Sequence, residues 1–147
     1  MYPEFKAHEK FKFYELSLEE KRKIINKLKE MLKRYKEVLL AIIYGSFLKD
    51  YPFRDIDIAL YIDQNIDPLG YKFLLEKELS EKIRYPIDVK ILNYAPAWFV
   101  LEVFRSGRIL LDKLGIAEKI YKKSIRRSNK LRRDFSKEFL LKTDLIC

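Results

Sequence analysis

The sequence has one cysteine, one histidine, one tryptophan and four glycines in 147 residues, and each shortage excludes something. Cys147 stands alone at the end of the chain, so no intramolecular disulfide can form. His8 is the sole histidine, which comes close to excluding a Ser-His-Asp type triad or a histidine-based metal cluster. No apolar run reaches the roughly 18 residues that a membrane-spanning helix requires. The first residues, Met1-Tyr2-Pro3-Glu4-Phe5-Lys6, carry no apolar core of a secretory signal, and a cytoplasmic location is expected. No Pro/Gly/Ser-rich linker, repeat or low-complexity tract divides the chain. Whatever chemistry it performs must run on carboxylates, hydroxyls, lysine and arginine.

What is abundant is charge. Lys and Arg total 31 against 22 Asp and Glu, a formal net charge of +9, and 48% of the residues are hydrophobic. The length is that of one domain able to bury its own core. The positive field attracts polyanions such as nucleotides, nucleic acid or an acidic protein face. Many Lys and Glu with a single Gln (Gln64) is also the usage of thermophile proteins, a compositional bias without functional content.

Residues 1–15 mix aromatics with charge and show no period; they are read as an arm. Ser17-Leu18-Glu19-Glu20 is a capping box, and Ile24, Leu28, Leu32 and Tyr35 then recur at helical spacing. Val38 to Tyr44 is a continuous branched apolar run ending at Gly45, the pattern of a strand buried on both faces. Ile56 to Ile62 alternates, with Asp55, Asp57, Ala59 and Tyr61 on one face. Pro68 opens a helix carrying Phe73, Leu74, Leu79 and Ile83. A third strand, Ile87 to Leu92, bears Asp88 and Lys90 on its opposite face. Pro96 starts a helix with Phe99, Val103 and Phe104 inward. Arg108 to Leu111 is a short strand. From Gly115 to Leu141 the pattern is helical, with Ile116, Ile120, Leu131 and Phe135 as candidate core contacts. The fold class is therefore α/β (α+β): one domain over 1–147, with a small mixed sheet flanked by helices. The core spans about 38–112, preceded by an arm and helix (1–37) and followed by a long basic helical extension (113–147).

Asp55 and Asp57, two apart at a strand, project to one face and can converge on a hard cation. Asp88 joins them if its strand is a neighbour. Asp-x-Asp alone is more often a turn or a solvated face. Carboxylates set within Ile-Asp-Ile and Ile-Asp-Val-Lys-Ile are costly near a core unless a cation or hydrogen bonds compensate them. Gly45-Ser46, directly after the first strand, lets the backbone approach a bound group and offers N–H groups and a hydroxyl to phosphate oxygens. By itself a Gly-Ser pair is usually only a turn.

Taken in order, Ile43-Tyr44-Gly45-Ser46, then Asp55-Ile56-Asp57-Ile58-Ala59-Leu60, then Asp88 resembles the DNA polymerase β-like nucleotidyltransferase superfamily. The likeness is nearest to its minimal nucleotidyltransferases. Ile91-Leu92-Asn93 and Ser106-Gly107-Arg108-Ile109-Leu110-Leu111 are similar to the family's closing region. The resemblance implies two Mg²⁺ ions held by Asp55, Asp57 and Asp88, with Gly45, Ser46, Lys49 and Arg54 binding the triphosphate of ATP or another NTP. It implies transfer of a nucleoside monophosphate, AMP foremost, to an acceptor hydroxyl. Minimal nucleotidyltransferases often act as antitoxins that modify a HEPN-type toxin, so a toxin-antitoxin partner is expected. The sequence departs from the family pattern in its short loop before Asp55, in Lys49-Asp50 standing where Arg-Gly is common, and in Arg54 where Ser is common.

Two features leave other readings open. Lys119 to Arg133 holds eight basic residues and no acidic one, either a solvated helix face or a surface for an anionic partner, RNA included. The alternatives to a protein acceptor are RNA or a small molecule, or a non-catalytic module that binds a partner. No helix-turn-helix pattern supports sequence-specific DNA binding.

Overall fold

A computed structural model describes the backbone of residues 12–146 and the side chains of residues 12–133. Most of the N-terminal arm, His8, Cys147 and the side chain of Phe135 lie outside the described residues. The elements follow the expected order: α1 (Leu18–Lys33), β1 (Val38–Tyr44), a 3-10 turn (Ser46–Leu48), β2 (Ile56–Ile62), α2 (Pro68–Ile83), β3 (Ile87–Ile91), α3 (Ala97–Ser106), β4 (Arg108–Asp112) and α4 (Ala117–Ile146). The Ser17 capping box forms in full: Ser17 Oγ accepts from the Glu20 N–H, and the Glu20 carboxylate accepts from the Ser17 N–H. Asp67 caps α2 by accepting from the Gly70 N–H, which leaves Pro68 at the first helical position, where no donor is lost. Pro96 is different: it sits just outside α3 as its cap residue, in extended geometry.

The sheet order is β3-β2-β1-β4. β1 runs antiparallel to both β2 and β4, while β2 and β3 are parallel and joined by α2. α1 and α2 cover one face, on a cluster built from Leu28, Leu32, Ile43, Ile58, Leu75 and Val89. α3 and the first turn of α4 cover the other, on Leu40, Ile42, Ala59, Val100, Val103 and Ala117. β1 feeds both clusters, which explains a run with no polar residue in it.

Some apolar residues take other places than the spacing suggests. Phe73 and Leu74 are exposed on α2, and Tyr71 and Leu75 fill the core instead. Leu131 is also exposed, while Ile116 and Ile120 pack as expected. Part of the arm is ordered by pairing: Tyr14 and Phe53 exchange backbone hydrogen bonds of 2.8 and 3.0 Å, and their rings join Phe47 and Tyr85 in an aromatic group. Among the described residues no helix is long and apolar enough to cross a membrane.

Candidate active site

β2 and β3 lie side by side in a register that sets Asp57 opposite Asp88. Alternation places Ile56 and Ile58 on the α1/α2 face, so Asp57 faces the α3 side, and Asp55 enters from the residue before Ile56. One carboxylate oxygen from each of Asp55, Asp57 and Asp88 falls within 4.8 Å of the others. All three are half-buried. The crowding is electrostatically expensive. Burial first, then the charges of Asp55 and Asp88, push the Asp57 carboxyl up to about 7, against an opposing pull from Lys90. Burial and Asp88 raise Asp55 as well, offset by Arg54 and Lys90. Tyr44, the last residue of β1, is raised by burial and then by the same three aspartates, so its hydroxyl stays protonated beside them.

The turn after β1 is fitted to this cluster. Gly45 has φ +83°, and a Cβ there would lie 2.4 Å from Asp57 Oδ2. Glycine is required on two counts, its backbone angle and the approach of the carboxylate. The Gly45 carbonyl accepts from the Leu48 N–H and that of Ser46 from the Lys49 N–H, so Ser46 begins a single tight turn rather than a helix. The turn is anchored from below. Phe47 and Phe53 are fully buried, and the Lys21 ammonium donates 2.7 Å to the Lys49 carbonyl while lying over both rings. This anchoring lets the loop between Ser46 and Asp55 be short.

Of the residues expected at the site, the structure brings together Asp55, Asp57, Asp88 and Gly45, with Ser46 next in the turn and the Arg54 charge acting on Asp55. Lys49 is exposed and turns toward α1, lining a cavity of about 170 Å³ with Lys21, Arg22 and Arg108. Three hard oxygen donors, two from paired strands and one from the residue just before β2, suit a divalent cation such as Mg²⁺, which takes few protein carboxylates and leaves positions for phosphate oxygens.

Further residues belong to the site. Lys90 approaches Asp88 Oδ2 at 3.7 Å, and Lys72 from α2 approaches Oδ1 at 3.4 Å. Lys72 is held by Glu76 at 2.6 Å and by the Val89 carbonyl at 2.7 Å; the Glu76 carboxylate in turn accepts from the Val89 N–H at 2.9 Å. Strand alternation pointed to Lys90 without giving it a task. Lys72 and Glu76 read in sequence as an ordinary i,i+4 helix pair, because their contacts to β3 are tertiary.

The sequence matches the family described as polymerase beta, nucleotidyltransferase over residues 26–114. No curated protein matches at the sequence level. Among solved structures the chain is similar to one in a complex of a tri-AMPylated HEPN toxin of Shewanella oneidensis with an MNT antitoxin. That pair has 20% identity and a TM-score of 0.64, over 86% of this chain and 99% of that one. A toxin-antitoxin structure with AMP-PNP gives 21% identity and a TM-score of 0.65, over 84% and 98%. The MntA-HepT toxin-antitoxin structure gives 19% and 0.63, over 86% and 99%. At these identities the likeness is one of fold.

Proposed function

Since the chain belongs to the polymerase beta nucleotidyltransferase family, we propose that it moves AMP from ATP, with Mg²⁺, onto a hydroxyl of a partner protein, a HEPN-type toxin. The observation that carries this reading is the meeting of Asp55, Asp57 and Asp88 beside the Gly45 turn. The complexes of similar fold, one with an AMPylated HEPN toxin and one with AMP-PNP, support the choice of nucleotide and partner.

Asp55, Asp57 and Asp88 would hold the ions, which supply charge to the entering and leaving oxygens of an in-line displacement at the α-phosphorus. The attacking hydroxyl oxygen forms the new P–O bond as the bond to pyrophosphate breaks. Asp88, on the outer strand, would help take the hydroxyl proton. Gly45 and Ser46 would present N–H groups to the β- and γ-phosphates. Arg54, already acting on Asp55, would offset charge on the departing pyrophosphate, while Lys49, turned toward α1, is not brought to the cluster.

The test is transfer of label from each α-³²P-labelled NTP, in Mg²⁺, with a HEPN-type partner protein or tRNA present. Label from ATP is expected on the protein and none on RNA. Asp57→Asn should lower the transfer by about 100- to 1,000-fold, on the order seen when a pre-positioned charge-stabilising group is lost, without loss of folded structure by circular dichroism. Label on an RNA end would transfer the assignment to RNA, and unchanged transfer by Asp57→Asn would discard the catalytic site.

A further inference from the structure

Two ammonium groups meet the Asp88 carboxylate, and they are held in different ways. Lys72 is tied down by Glu76 and the Val89 carbonyl, so it is a fixed part of the β3 edge, its charge matched by a carboxylate at 2.6 Å. Lys90 has no such tether. Its side chain is 48% exposed, and among the described residues Asp88, at 3.7 Å, is the only carboxylate it pairs with. Lys90 shares the Asp88 face of β3, opposite Ala59, two pairs along from the Asp57–Asp88 pair. Its charge reaches the whole cluster, since it also favours ionised Asp55 and Asp57.

We propose that Lys90 is a resident, exchangeable cation, whose ammonium balances the three carboxylates until a divalent ion displaces it. The inference rests on the metal-dependent reading above and adds to it a device that sets how readily the ion enters. An ammonium held by one long ion pair at half exposure is weakly bound. A divalent ion brings twice the charge and direct oxygen coordination, so it wins, but it must first repel or turn aside the lysine. The bare ion therefore binds less tightly than three carboxylates alone would allow. An ion arriving with a triphosphate faces a smaller barrier, because the phosphate oxygens give the displaced ammonium a new partner. The site would then load ion and nucleotide together.

Mn²⁺ titration of the full chain without nucleotide, followed by electron paramagnetic resonance, tests this directly. Lys90→Met and Lys90→Gln are expected to bind Mn²⁺ about tenfold more tightly than the wild type. That is the effect of removing one unit charge about 5 Å from a divalent ion even at the dielectric of water. Lys90→Arg, which keeps the charge, should stay within about twofold of the wild type. A second readout is the rise in Tm on adding Mg²⁺, which should be larger in Lys90→Met. Equal or weaker Mn²⁺ binding by both Lys90→Met and Lys90→Gln, with Asp57→Asn still abolishing it, overturns the role of the lysine alone. Absence of Mn²⁺ binding in every variant, wild type included, overturns the metal reading and the lysine's role with it.

Discussion

At Gly45 the main chain passes so close to Asp57 that a single methyl group would strike its carboxylate oxygen, and the same residue holds a backbone angle that other residues avoid. Gly45→Ala should therefore act twice. Strain in this region costs about 1–3 kcal/mol, which a urea denaturation curve would read as a lowered midpoint. The displaced Asp57 should also reduce nucleotide transfer by about 100-fold, the scale of a roughly 1 Å error in a reacting group. The neighbouring carboxyl carries a pH signature. Asp57 binds its proton more tightly folded than unfolded, from an ordinary value of 3.8 to about 7. Its contribution to stability is thus complete below the unfolded value and is lost as the pH climbs through 7. In EDTA, the Tm of the wild type should fall relative to that of Asp57→Asn between pH 5 and 8. Parallel curves for the two proteins would show that the carboxyl is not perturbed. Mg²⁺ should raise the wild-type Tm more at pH 8 than at pH 5.

At the scale of elements, β3 depends on α2 for more than packing. Val89 turns its N–H and carbonyl away from β2, and Glu76 and Lys72 satisfy them. Glu76→Ala should leave the amide without its partner, cost about 1–3 kcal/mol in urea, and raise hydrogen exchange at Val89. The strands β1 and β2 were legible to their end residues, because an unbroken branched run and a strict alternation are strong signals. The inward face of α2 was not. Phe73 and Leu74 are as apolar as Tyr71 and Leu75, but only Tyr71 and Leu75 lie on the buried row, four residues apart, that continues through Leu79 and Ile83. Pro96 reads equally as a first helical residue or as the cap before one, since its fixed φ suits both.

Over the whole molecule, the two apolar clusters share β1 and β2 and should unfold together. Trp98, the sole tryptophan, is 70% exposed on the α3 side, while far-UV circular dichroism reports on every helix and strand. Urea curves from Trp98 fluorescence and from circular dichroism should coincide; separated midpoints would mean that the α3/α4 layer comes away first. The same shared sheet explains how far the site could be read. Asp55, Asp57 and the Gly45-Ser46 turn are close in sequence and stood out there. Asp88 could join them only by the pairing of β2 with β3, which residue types alone leave conditional. Lys72 and Glu76 were invisible because nothing in an i,i+4 pair tells which strand it will meet.

The bracing of Val89 by Glu76 and Lys72 also bears on how this chain behaves in concentrated solution. A sheet margin with unmet donors and acceptors is a template on which another molecule's strand can grow toward a fibril. Here Val89, at the middle of that margin, has both groups met from within. The opposite one, β4, is five residues long, opens on exposed Arg108, and ends at Asp112, whose carboxylate is engaged by the Ile116 and Ala117 N–H groups at the start of α4. A strand adding to the β3 margin would first have to displace the same pair that steadies the third aspartate.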